Sequence, residues 1–154
     1  MIEQNNIPAR NPVKMRYTWR DVERLARKYG LPFEPGLPYP VDKDGLANRV
    51  AMVGALEGWC AQYVQAVYRA WFGEKRMPGD LDLLRSVLEP LVSNADDVIA
   101  RADSSEIRDQ FAAATAAART HGIFGAPSFV VDGELFWGHD RLDDALAWRA
   151  ERAR

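Results

Sequence analysis

The segment from Gly122 to Ala145, GIFGAPSFVVDGELFWGHDRLDDA, constrains the fold more than any other part of the chain. Ser128 to Val131 is rich in β-forming residues, Asp132-Gly133 is a strong hairpin-turn pair, and Leu135 to Trp137 reads as the return strand. Asp140 then stands where it caps a final helix whose Leu142, Ala145 and Leu146 face inward. No earlier stretch carries a sheet signal. A lone two-stranded hairpin is marginal in water and leaves two edges open. Either something else completes the sheet, or this chain lacks part of its fold.

Everything before the hairpin reads as helix and connector. Residues 1–17 are polar and irregular, punctuated by Pro8 and Pro12. Thr18 reads as an N-cap, with Asp21 as a carboxylate version of the capping box, ahead of an apolar stripe of Val22, Leu25, Ala26 and Tyr29. Gly30 and Pro32 end that helix, and LPFEPGLPYP is an extended connector. From Gly45 to Phe72 the chain predicts one helix or a kinked pair, with Gly54 and Gly58 as bends or close-packing points. Its Trp59, Tyr63, Ala66, Val67 and Ala70 recur at helical spacing, as packing or as a pocket wall. Further helices are expected at Gly79–Leu88, at Asp96–Ala102, and from an Asp103/Glu106 cap to about Thr120. In that last helix Ile107, Phe111, Ala114 and Ala118 form the inward face, and Gly122 closes it.

A net charge of -2 provides no field for nucleic acid or an anionic membrane. No apolar run approaches the roughly 20 residues that span a bilayer. The opening residues lack an apolar signal core, so a cytoplasmic protein is expected. Cys60 is the only cysteine, which disfavours a dithiol oxidoreductase, and its helical apolar context predicts a buried small side chain. His121 and His139 are too few and isolated to argue for a metal site.

The wording GIFGAPSFVVDGELFWGHDRLDD resembles the end of the 2-hydroxychromene-2-carboxylate isomerases, relatives of the kappa-class glutathione transferases and DsbA-like proteins. The other end agrees, because NNIPARNPVK is similar to that family's Asn-x-Pro-Pro-x-x-x-Pro-x-Lys segment. Asn5, Pro8, Pro12 and Lys14 keep its spacing, while Ile7 replaces the first proline. The resemblance implies an α/β thioredoxin-like fold of the DsbA/kappa type with a large inserted helical domain. Residues 18–103 would be the insert, and 1–17 with 104–154 the thioredoxin-like part. The family's first strand, first helix and second strand, with its catalytic serine, have no counterpart here. An N-terminally truncated chain is therefore expected, predominantly helical with one C-terminal β-hairpin and no catalytic residue of its own.

The same resemblance implies glutathione as cofactor, a small aromatic substrate and a homodimer. In the family the glutathione thiolate, held by the serine, adds to the substrate and leaves again, giving trans-o-hydroxybenzylidenepyruvate in aromatic breakdown. Pro127 would be cis, a state that proline disfavours by only about 0.5–1 kcal/mol. The turn would present the backbone of Ala126 to the cysteinyl part of glutathione, as an added strand pairs with a sheet edge. His139, where the family commonly has glutamine or serine, and Asp140 would meet the γ-glutamyl end. Asn5 and Lys14 would lie beside the thiol and the substrate's carboxylate or glutathione, and Phe136 and Trp137 would wall the pocket. From the residues alone Lys14 also reads as a solvated lysine. The alternative function is a non-catalytic paralogue, or a glutathione- or peptide-binding module.

Overall fold

The computed structural model describes residues 11–37, 42 and 44–152. Its order is helices first, then one hairpin and a last helix, as the sequence predicts. The chain divides into two compact units, which among the described residues comprise 11–111 and 112–152. The boundary between these units falls inside one helix, between residues 111 and 112.

In the helical unit α1 runs Pro12–Tyr29, seven residues earlier than an N-cap at Thr18 would give. Asn11 is its cap: Oδ1 accepts from the backbone N–H of Val13 at 3.0 Å and of Lys14 at 3.1 Å. Pro12 occupies the first helical position, where its missing N–H costs nothing. Thr18 lies inside the helix, and its hydroxyl donates to the Lys14 carbonyl at 2.9 Å. Gly30 ends α1 in the left-handed region at φ 65°. Of the expected apolar stripe, Ala26 is buried, Val22 and Leu25 are half-buried, and Tyr29 is exposed with Lys28 Nζ 5.2 Å from its ring centre.

The long apolar stretch is a pair, α2 (Leu46–Glu57) and α3 (Cys60–Glu74). Gly58, at φ 91°, breaks it; Gly54 is a close-packing point, since a Cβ there would sit 2.7 Å from the Trp59 ring. Trp59, Tyr63, Val67 and Ala70 are buried, and the Tyr63 hydroxyl donates to the Ala47 carbonyl at 3.0 Å. Cys60 is half-buried, short of the burial expected of it. Two short helices, α4 (Leu81–Leu88) and α5 (Ala95–Ala102), close the core with Leu83, Leu84, Val87, Leu88, Val98 and Ala102. Asp80 and Asn94 cap them through backbone N–H groups of Asp82, Asp96 and Asp97.

Helix α6 runs Ser105–Thr120, and its Ile107 is fully buried in the helical core. Asp103 does not cap it. Ser104 does, with Oγ 3.4 Å from the Ile107 N–H, while Asp103 Oδ1 takes the guanidinium groups of Arg49 and Arg108. Phe111 is half-buried, Ala114 is exposed, and Ala118 is half-buried, so the expected inward face holds mainly at its start.

The second unit contains β1 (Ser128–Val131) and β2 (Glu134–Trp137), paired antiparallel with Ser128 opposite Trp137 and Val131 opposite Glu134. Asp132 at φ 50° and Gly133 at φ 83° make the tight turn. A 3-10 turn at His139–Arg141 leads into α7, Leu142–Arg152. Ala145 is buried there, but Leu142 and Leu146 are exposed, against the inward positions their spacing predicts. Asp140 makes no side-chain capping bond; it lies inside the 3-10 turn and pairs with Arg141 at 3.4 Å.

Candidate functional site at the cis-proline turn

The turn that enters the hairpin has several distinctive features. The Ala126–Pro127 peptide bond is cis. The Pro127 carbonyl accepts from the Gly138 N–H at 3.0 Å, so the strand ends are tied just beyond the last register pair. On the inner side of the turn the Ser128 hydroxyl donates to the Gly125 carbonyl at 2.6 Å. Ala126 lies on the surface, and among the described residues neither its N–H nor its C=O has a hydrogen-bond partner. An exposed, unpaired main-chain donor and acceptor beside a strand is what an extended peptide needs in order to add itself to a sheet.

Strand alternation sorts the aromatic residues around this turn. Phe136 faces α7, with its ring edge-on to Trp148 at 6.3 Å, and Arg152 covers the other ring at 4.3 Å. Trp137 points to the opposite face, 54% exposed, against Phe124 at 4.9 Å. Phe136 and Trp137 therefore do not share a wall: the first packs the sheet on its helix, and the second stands at the turn. Val130 is exposed on the Trp137 face and Leu135 half-buried there. Gly125 is required beside the indole, because a Cβ would come to 2.5 Å from Trp137 Nε1. Phe124 and Gly125 were not singled out in the sequence; the signal was their place directly before Ala126-Pro127.

His139 and Asp140 follow at once, both exposed, after Gly138 at φ 114°. A Cβ on Gly138 would lie 2.5 Å from Asp140 Oδ1, so that carboxylate folds back over the glycine at the mouth of the hairpin. Arg141 bridges Asp140 and Asp144, the latter at 3.0 Å, and the carboxylates hold its guanidinium pKa above the usual arginine value. Ala126, Pro127, Trp137, His139 and Asp140 thus belong to one turn cluster in one unit. Lys14 belongs to the other unit, exposed in the first turn of α1, and Asn5 lies outside the described residues. Among the described residues no group of three His, Cys, Asp or Glu is placed to hold a metal ion, and no helix is long and apolar enough to cross a membrane.

A hairpin entered through a cis-proline and backed by a C-terminal helix defines the closing portion of a thioredoxin-like fold. The chain belongs to the DsbA-like thioredoxin domain family, whose model matches residues 1–147. It is similar to the 2-hydroxychromene-2-carboxylate isomerase of Sphingobium xenophagum, 31% identical over 133 residues, covering 84% of this chain and 65% of that protein. The Pseudomonas putida enzyme of the same name is 28% identical over 131 residues, 84% of this chain and 63% of that one. The chain thus spans just under two thirds of the length of these curated relatives. A solved structure of a 2-hydroxychromene-2-carboxylate isomerase superposes with a TM-score of 0.81 at 26% identity, over 97% of this chain and 72% of that one.

Proposed function

We propose that the chain serves a glutathione-dependent isomerisation of 2-hydroxychromene-2-carboxylate to trans-o-hydroxybenzylidenepyruvate, and that its cis-proline turn holds the glutathione backbone. The observation that carries this reading is the unpaired backbone of Ala126 beside the cis bond, in a chain similar to enzymes of that name. Glutathione supplies a thiol nucleophile when bound. Ala126 would pair with its cysteinyl main chain, and Pro127 would fix the turn. Asp140, exposed and folded back over Gly138 at the mouth of the hairpin, would take the γ-glutamyl ammonium, with Arg141 paired beside it. On the family resemblance, Lys14 would meet a carboxylate of substrate or glutathione. The residues present fit the peptide-holding role and do not themselves supply a nucleophile.

Calorimetric titration with reduced glutathione tests the assignment. Saturable binding is expected, weakened about tenfold in Asp140→Ala by loss of a charge-assisted hydrogen bond. Equal affinity in the variant removes Asp140 from the site, and no binding by the parent chain removes glutathione. A second reading, a glutathione- or peptide-binding module without turnover, is favoured by the exposed apolar face of Val130, Trp137 and Phe124. Binding without conversion of the chromene substrate selects it.

A further inference from the structure

We infer that Ser128 is the positioning residue of the cis-proline site: its hydroxyl fixes the 125–126 peptide unit so that the Ala126 N–H stands outward for a ligand carbonyl. The inference deepens the glutathione reading and rests on it for the ligand, while its structural half is testable with no ligand present. The Ser128 hydroxyl donates to the Gly125 carbonyl at 2.6 Å, within the ordinary range of an O–H···O bond. That carbonyl and the Ala126 N–H belong to one planar peptide unit. The only cis bond among the described residues is the next one, Ala126–Pro127, so the 125–126 unit is trans. In a trans unit the carbonyl and the following N–H point in opposite directions. A carbonyl drawn towards the start of β1 by Ser128 therefore sends the Ala126 N–H away from its own strand. Among the described residues nothing takes that N–H.

This peptide unit needs a restraint. A peptide plane in a turn reorients by rotation about the bonds on its two sides, here ψ of Gly125 and φ of Ala126, and glycine opposes that rotation least. Yet glycine is required at 125, because the edge of the Trp137 indole fills the space of a side chain. A Cβ there would come to 2.5 Å from Nε1, 3.2 Å from Cε2 and 3.3 Å from Cδ1. The residue that makes room for the indole is thus the one that would let the plane turn. Ser128 supplies the lock. It is the first residue of β1, half-buried and in register opposite Trp137, so its hydroxyl is carried on a strand and not on the loop. Between the two, the Pro127 carbonyl is tied across to the Gly138 N–H at 3.0 Å, which holds donor and acceptor in one frame.

The test compares the whole parent chain with Ser128→Ala and Ser128→Thr. By ¹⁵N relaxation without ligand, the Ala126 amide is expected to gain motion in Ser128→Ala and to match the parent in Ser128→Thr, which keeps the hydroxyl. By calorimetry Ser128→Ala is expected to bind reduced glutathione about fivefold more weakly, the worth of one hydrogen bond, and Ser128→Thr to bind as the parent does. A merely structural serine would lower the thermal midpoint in Ser128→Ala and leave the glutathione affinity of the folded chain unchanged; that result overturns the inference. So does an Ala126 amide equally ordered in parent and Ser128→Ala. Absence of glutathione binding by the parent removes the ligand together with the glutathione reading, whereas equal binding by parent and Ser128→Ala removes Ser128 alone. Should Ser128→Ala not fold, Ser128→Thr against Ser128→Val, alike in shape and differing in the hydroxyl, makes the same comparison.

Discussion

Arg49 Nη2 and Asp103 Oδ1 meet at 2.7 Å, although only the arginine is buried. Arg49 is 4% exposed, and its other nitrogens reach the carbonyls of Ala102 at 3.0 Å and Asp44 at 2.5 Å. One side chain of α2 thereby satisfies the end of α5 and the approach to its own helix. Removing it leaves an emptied polar slot, whereas removing Asp103 leaves a buried cation with two carbonyl partners. Arg49→Ala is expected to cost about 3 kcal/mol in urea unfolding, and Asp103→Ala about 1 because that carboxylate is half in water. Equal costs would mean that the pair acts as an ordinary surface bridge.

Gly54→Ala is expected to destabilise, against the helix-propensity gain of roughly 1 kcal/mol that alanine normally brings. The new methyl would lie 2.7 Å from the buried Trp59 ring and 3.1 Å from Cys60 Cα, with no flexible end to move aside. Overpacking of this kind costs about 1–3 kcal/mol. A raised thermal midpoint in Gly54→Ala would show that Trp59 has room to shift.

Tyr63 confers a pH dependence whose direction is fixed. Burial pushes its hydroxyl pKa well up, with the negative charge of Asp42 the next cause. The unfolded chain loses that proton near pH 10 while the folded chain keeps it. Stability from this group is therefore complete below about pH 10 and falls as pH rises beyond it. Tyr63→Phe should flatten that alkaline decline and cost about 1 kcal/mol at neutral pH, from the bond lost to the Ala47 carbonyl. An unchanged slope in the variant would assign the decline to other groups.

Asn11→Ala should cost about 1 kcal/mol and shorten α1, seen as lost helical ellipticity and a lower thermal midpoint. Two backbone N–H groups lose their acceptor at once. No change would mean that residues before Asn11 cap the helix in its place.

That cap also shows how far the sequence could be read. Asn11-Pro12 is a helix-start pair, yet the proline-rich opening reads as connector, because apolar periodicity begins only at Val22. Where a single residue type forces the backbone, sequence and structure agree: Gly30, Gly58, Asp132-Gly133 and Pro127 all stand where their chemistry puts them. Where the outcome depends on what lies opposite, they part. Leu142 and Leu146 have helical spacing but no cover, Asp103 was claimed by two arginines, and Phe136 and Trp137 were separated by strand alternation. Periodicity marks an apolar face without saying what meets it. At the site, the turn was legible through the resemblance of its wording, while the supporting contacts of Phe124 and Gly125 needed coordinates.

The half-exposed Trp137 gives the turn its own optical probe. Of the five tryptophans, Trp59 is buried and Trp19, Trp71 and Trp148 are partly covered, so Trp137 is the one most open to an aqueous quencher. Acrylamide or iodide reaches its ring first. A molecule seated on Ala126 would shade it, so occupancy of the turn can be followed by emission from the unlabelled chain, without a dye or a coupled assay.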